Sequence, residues 1–163
     1  MKRWTVVDTN VLVSGVFSAH SGSPRDRIVD AMLAGRLRFL VSEELVFEYR
    51  RVLVEPRALR RHGMREDEID GLLGALLENA AIRTPSGGGP SAPEALDRDL
   101  GDPPPVVPGD EHVVALLDTE SLAVLVTGDR VLTDALRGWR EVFSPGDFAS
   151  RLDPSGAGFR ESS

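Results

Sequence analysis

The sequence contains no cysteine, which removes disulfides, thiolate zinc sites and cysteine nucleophiles together. Its three histidines, His20, His62 and His112, form no metal-ligand spacing and read as ordinary surface or core residues. Lysine occurs once, as Lys2, so every other one of the 19 basic residues is arginine. Aromatic residues make up 6%, which leaves little for base stacking. No apolar run approaches the roughly 18 residues that a membrane span requires. Lys2-Arg3 ahead of Val6-Val7 has the outline of a signal peptide, but Asp8 and Asn10 interrupt the apolar stretch. The expected location is cytoplasmic. No internal repeat is evident.

What is present fits one domain over residues 1–152, followed by a disordered tail at 153–163. Hydrophobic residues account for 41% of the 163 positions, enough for one respectable core. The net charge of −7 argues against indiscriminate nucleic-acid binding. Arg50, Arg51, Arg57, Arg60, Arg61 and Arg65 nevertheless crowd one stretch. Arginine forks suit phosphate, and a solvated helical face is the plainer reading of that cluster.

Val6 and Val7 are adjacent apolar residues and need cover on both faces, as in a parallel sheet. Asp8 then stands at the carboxyl end of the strand, where open α/β sheets place their ligands. Residues 14–23 read as a small polar loop. Pro24 opens a helix that stops at Gly35, and residues 37–41 form a second strand. Ser42 caps a helix over about residues 43–55, on which Glu48 lies at the margin of the apolar face, beside Leu45 and Val52. A further helix spans 66–80 and a short strand 81–84. Residues 85–109, with Gly87-Gly88-Gly89 and Pro103-Pro104-Pro105, read as a mobile insertion. Asp110 begins a helix and faces its apolar arc, or else merely caps it. A strand at 122–126 leads to Thr127-Gly128-Asp129, where the alternative role of Asp129 is simply to cap the helix at 130–137. A last strand and helix fill 141–144 and 145–152. The alternation predicts an α/β fold, an α/β/α sandwich about a mainly parallel sheet.

Asp8, Glu48, Asp110 and Asp129 can thus converge at one sheet edge. Gathered there they would repel, and burial would raise their pKa values, unless cations neutralised them. Oxygen-only donors select hard ions such as Mg²⁺ or Mn²⁺. Such ions bind phosphate and activate water, so metal-assisted phosphodiester hydrolysis follows as the physical expectation.

Val-Val-Asp8-Thr-Asn10-Val, Gly22-Ser-Pro24, the stretch from Ser42 through Glu48 to Leu53, Asp110-Glu-His and Leu-Val-Thr127-Gly128-Asp129 resemble the PIN-domain family over residues 1–152. The likeness is nearest to its toxins of toxin–antitoxin pairs, similar to the VapC group. The resemblance implies a Mg²⁺- or Mn²⁺-dependent ribonuclease with Asp8, Glu48, Asp110 and Asp129 as its acids. It also implies an RNA substrate, an antitoxin protein as partner and a homodimer. The chain departs from the family pattern ahead of Asp110, where Val107-Pro108-Gly109 replaces an acidic Asp-Pro stretch.

In this reading Asp8, Asp110 and Asp129 hold metal, and Glu48 completes the shell or positions the attacking water. Asn10 and Thr127 orient the carboxylates, and the six arginines track the RNA backbone. The alternative is a degenerate PIN domain that binds RNA or a partner without catalysis. A phosphatase of the haloacid-dehalogenase type would want an acid where Asn10 stands. A phospho-acceptor receiver domain would want a late lysine.

Overall fold

Strand β1 (Thr5–Val7) occupies the middle of a five-stranded sheet in which every pairing is parallel. The computed structural model describes residues 3–85 and 103–152. After β1 come helices α1 (Thr9–Phe17) and α2 (Pro24–Leu33), strand β2 (Phe39–Val41), and helices α3 (Glu43–Leu53), α4 (Pro56–His62) and α5 (Glu66–Leu77). Strand β3 (Ala80–Ile82), helix α6 (Glu111–Asp118), strand β4 (Val124–Val126), helix α7 (Arg130–Leu136), strand β5 (Val142–Phe143) and helix α8 (Pro145–Ser150) complete the order. The strands lie as β3-β2-β1-β4-β5. All residues of β1, β2 and β4 are buried, so both faces of the central sheet are covered by helices, as adjacent apolar residues in these strands require.

The helix starts follow local chemistry. Ser23, Ser42 and Ser144 each accept a hydrogen bond from a first-turn amide of α2, α3 and α8, satisfying donors that would otherwise have no partner. Pro24, Pro56 and Pro145 occupy first helical positions, where a missing N–H does no harm. Gly35 and Gly63 turn the chain out of α2 and α4 with φ near +70, a conformation that glycine adopts without strain.

One expectation is corrected. The loop expected at 14–23 begins later, because residues 9–17 form α1. Ser14 and Gly15 are weak helix formers, but Val11, Leu12, Val13 and Val16 are buried, with α1 packed on α2 and α3, and that burial outweighs local preference. Gly15 has a packing reason. A Cβ there would stand 2.5 Å from Val29 Cγ2 and 2.6 Å from the Arg25 carbonyl oxygen, so the absence of a side chain lets the first turns of α2 lie against α1.

Of the expected insertion at 85–109, residues 86–102 lie outside the described residues, as does the tail expected at 153–163. Val107 is buried, and Gly109, at φ +87, turns the chain into Asp110. Among the described residues, no helix is long and apolar enough to cross a membrane.

Candidate active site

From β1 the chain moves outward to β2 and β3 on one side, and it returns to build β4 and β5 on the other. The carboxyl ends of β1 and β4 therefore flank the point where the winding reverses, the usual position of a crevice in such sheets. Val7 is in register with Val126, which sets Asp8 beside Thr127. The Asp8 amide donates to the Val126 carbonyl at 3.0 Å. The Thr127 hydroxyl donates to Asp8 Oδ2 at 2.6 Å and accepts the Asp129 amide at 3.0 Å. One hydroxyl, using its proton and a lone pair, thereby sets the spacing between two acids.

Asp8 is buried and also accepts from the Thr9 amide at 2.9 Å and from Asn10 Nδ2 at 3.3 Å. Burial raises its carboxyl above the ordinary range, the bonds from Thr127 and Thr9 pull it down, and the charges of Glu48 and Asp129 push it up again. The net direction is upward. Asp110 is raised too, first by burial, then by Asp8, Asp129 and Glu48, against a smaller opposing effect of His112. Asp8 is thus influenced by two of the other acids and Asp110 by all three.

The capping alternatives divide. Asp110 precedes α6, but its side chain makes no cap hydrogen bond. Asp129 does cap α7, with Oδ1 accepting from the Val131 and Leu132 amides at 2.9 and 3.3 Å. Its Oδ2 takes no part in that cap. Glu48, one turn into α3, is held by His112 of α6, Nε2 to Oε2 at 2.7 Å. Sequence spacing gave His112 no role, and it is the neighbour of an expected site residue. No local signal could have found it, since the pairing depends on α3 and α6 meeting.

The donor set is made of carboxylates and hydroxyls, which suits a hard divalent cation, and mutual repulsion at Asp8 and Asp110 is what such a cation relieves. The geometry is open: among the described residues, no three acidic or histidine side chains are disposed to grip one ion together as they stand. Asp8, Glu48 and Asp129 each engage hydrogen-bond partners of their own.

Of the six arginines singled out in the sequence, Arg50 pairs with Asp70 at 2.8 Å, Arg51 with Glu55 at 3.7 Å, and Arg65 with Asp67 and Glu68. Arg57 and Arg60 are exposed on α4, and Arg61 lies over the Phe17 ring at 5.0 Å. Phe17 ends the nine-residue helix that Asp8 begins, so at 1.5 Å per residue this group is roughly 13 Å along α1 from the acid. Arg51 is nearer, lining a groove of about 760 Å³ with Glu48, Phe47, Arg83 and His112. Glu48 is the only one of the four acids that lines it.

A different arginine stands against the segment between Thr127 and Asp129. Gly128 separates Thr127 from Asp129, and a Cβ on it would lie 3.2 Å from Arg25 Nη2 and 3.9 Å from Asn10 Oδ1. Arg25 belongs to the first turn of α2, and nothing in its sequence neighbourhood distinguishes it from the other arginines.

A family model described as the PIN domain matches residues 5–131 of this chain. No curated protein matches it.

Proposed function

The chain belongs to the PIN-domain family, most of its length being matched, and on that premise we propose that it is a Mg²⁺- or Mn²⁺-dependent endoribonuclease. PIN domains are typically nucleases, often metal-dependent ribonucleases. The observation that carries the reading is the electrostatic one: Asp8 and Asp110 are both raised by burial and by the other acids at the sheet's switch point. A site that concentrates acidic groups in this way is suited to cations and, through them, to phosphate.

Asp8, Asp110 and Asp129 would hold the metal, with Glu48 completing the shell or positioning the attacking water. The ion, when bound, supplies positive charge to phosphate oxygens and makes water more acidic. Thr127 fixes the distance between Asp8 and Asp129 through its two hydrogen bonds, and Asn10 steadies Asp8 from the outer side. His112 keeps Glu48 turned toward α6. Arg51, at the groove beside Glu48, and the exposed Arg57 and Arg60 offer contacts for the flanking RNA backbone.

The test is cleavage of single-stranded RNA with Mn²⁺, with Mg²⁺ and with chelator. Asp8→Asn should fold as the parent does and lose cleavage by about 100-fold or more. Retained cleavage in that variant removes Asp8 from the mechanism. The toxin role, an antitoxin partner and a homodimer rest on sequence likeness alone and complete the proposal. Growth arrest on expression, relieved by Asp8→Asn, supports the first of them.

A second reading, an RNA- or partner-binding module without catalysis, draws on the open geometry of the acids. RNA retention that is indifferent to Mn²⁺, with no cleavage, would favour it.

A further inference from the structure

Arg25 is a cation beside an acidic cluster, yet among the described residues no carboxylate lies within ion-pairing distance of it. Its Nε is buried without a hydrogen-bond partner, a state that costs free energy unless something else supplies the acceptor. The nearby acids are engaged elsewhere. Asp8 takes Thr9, Asn10 and Thr127, and Asp129 Oδ1 takes the α7 amides. Asp26, next in the chain, turns away to accept from the Gly22 and His20 amides at 2.9 and 3.3 Å. The backbone leaves the guanidinium its space: Gly15 lets α2 lie close on α1, and Gly128 leaves room for Nη2 beside the Thr127–Asp129 segment.

We propose that Arg25 is a catalytic residue whose guanidinium fork receives the non-bridging oxygens of the scissile phosphate. This rests on the nuclease reading above. The fork has five donors in a plane and matches a phosphodiester bidentately; Nε is closed off, so Nη1 and Nη2 are the edge that meets the phosphate oxygens. In hydrolysis the water oxygen bonds to phosphorus, the bond from phosphorus to the leaving ribose oxygen breaks, and the water's proton ends on that oxygen. Negative charge on the non-bridging oxygens is greatest midway, and donors already in position there speed the step. The competing role is a fixed counter-charge that quiets the acids before metal arrives.

The experiment uses the full chain and a short fluorescently labelled single-stranded RNA. Binding is read by anisotropy over a range of salt in Asp8→Asn, which leaves the RNA uncut, and in Asp8→Asn with Arg25→Met or Arg25→Lys. Losing one phosphate contact should weaken binding about tenfold in the Met variant and reduce the slope of log K against log salt by about 0.7. Lys, which keeps the charge, should restore the slope. In the otherwise native chain Arg25→Met should lower kcat by about 100-fold, while calorimetric Mn²⁺ affinity stays as in the parent. An unchanged salt slope, with RNA bound and cleavage intact, overturns the Arg25 role and leaves the nuclease reading standing. Tighter Mn²⁺ binding with RNA affinity unmoved overturns it in favour of the counter-charge. Failure of the parent to bind or cleave RNA at all overturns the nuclease reading and the phosphate role together.

Discussion

The hydroxyl of Tyr49 donates a hydrogen bond to the carbonyl of Val7, the last residue of β1 and the one before Asp8. Tyr49 is buried, and burial, reinforced by the charges of Asp8 and Glu48, drives its phenol far above the ordinary range. It therefore stays a donor at every working pH, and it ties α3, which carries Glu48, to the strand end that carries Asp8. Tyr49→Phe keeps the ring and deletes the bond. It should cost about 1–3 kcal/mol, with each kcal/mol lowering the melting temperature by about 2–4 °C. An unchanged melting curve would show that the tie carries no stability.

The raised carboxyl of Asp8 has a definite signature in stability. The folded protein holds that proton more tightly than the unfolded chain does, whose value is near 3.8. Stability owed to this group is therefore lost as pH rises from 3.8 through the raised value, and is level above it. Asp110 acts in the same direction. Metal-free Asp8→Asn should melt above the parent near neutral pH, and the gap should close as pH falls towards about 4. A gap independent of pH in thermal melts would contradict the electrostatic load assigned to Asp8.

Thr127→Val preserves shape and removes both bonds of the hydroxyl. The bond from Thr127 is the largest influence lowering Asp8, so its loss should move the acidic limb of the pH–rate profile to higher pH. The rate itself should fall about 10–100-fold, as when partners of ligating groups are removed. Thr127→Ser, which keeps the hydroxyl, should recover most of both. A limb that stays in place would mean that Asp8 does not govern it.

His112→Ala leaves Glu48 without the contact that orients it. The expected result is a fall in kcat of about tenfold or more with little change in melting temperature. His112→Gln, whose amide can reach the same carboxylate, should regain part of the loss. If the alanine variant cleaves at the parental rate, Glu48 needs no orienting partner.

Much of the architecture could be read in advance because burial on two faces leaves a mark in sequence. Val6-Val7 and the apolar run through Val124–Val126 admit few other interpretations, and the acids that follow them fall at the sheet edge by geometry. Helix α1 was hidden by Ser14 and Gly15, whose helical state depends on contacts with α2 and α3 rather than on their own preferences. The pairing of Glu48 with His112 was hidden because it joins elements far apart in the chain. Arginine density does not distinguish paired from unpaired side chains: Arg50, Arg51 and Arg65 are conspicuous as a run, and each has an acidic neighbour. Arg25 is inconspicuous in sequence, and only the folded chain shows that its Nε is buried without a hydrogen-bond partner.

The bare α-carbon at position 15 reverses an ordinary rule of helix substitution. Alanine is favoured over glycine in a helix interior by about 1 kcal/mol, so drift towards alanine would look harmless or beneficial. Here the added methyl group would meet the Arg25 carbonyl itself, and the two helices would have to be prised apart at the very turn from which the guanidinium extends. Whatever the arginine contributes is thus leveraged through a hydrocarbon joint, and mutational tolerance at a chemically silent position is set by what happens at the far end of the arm.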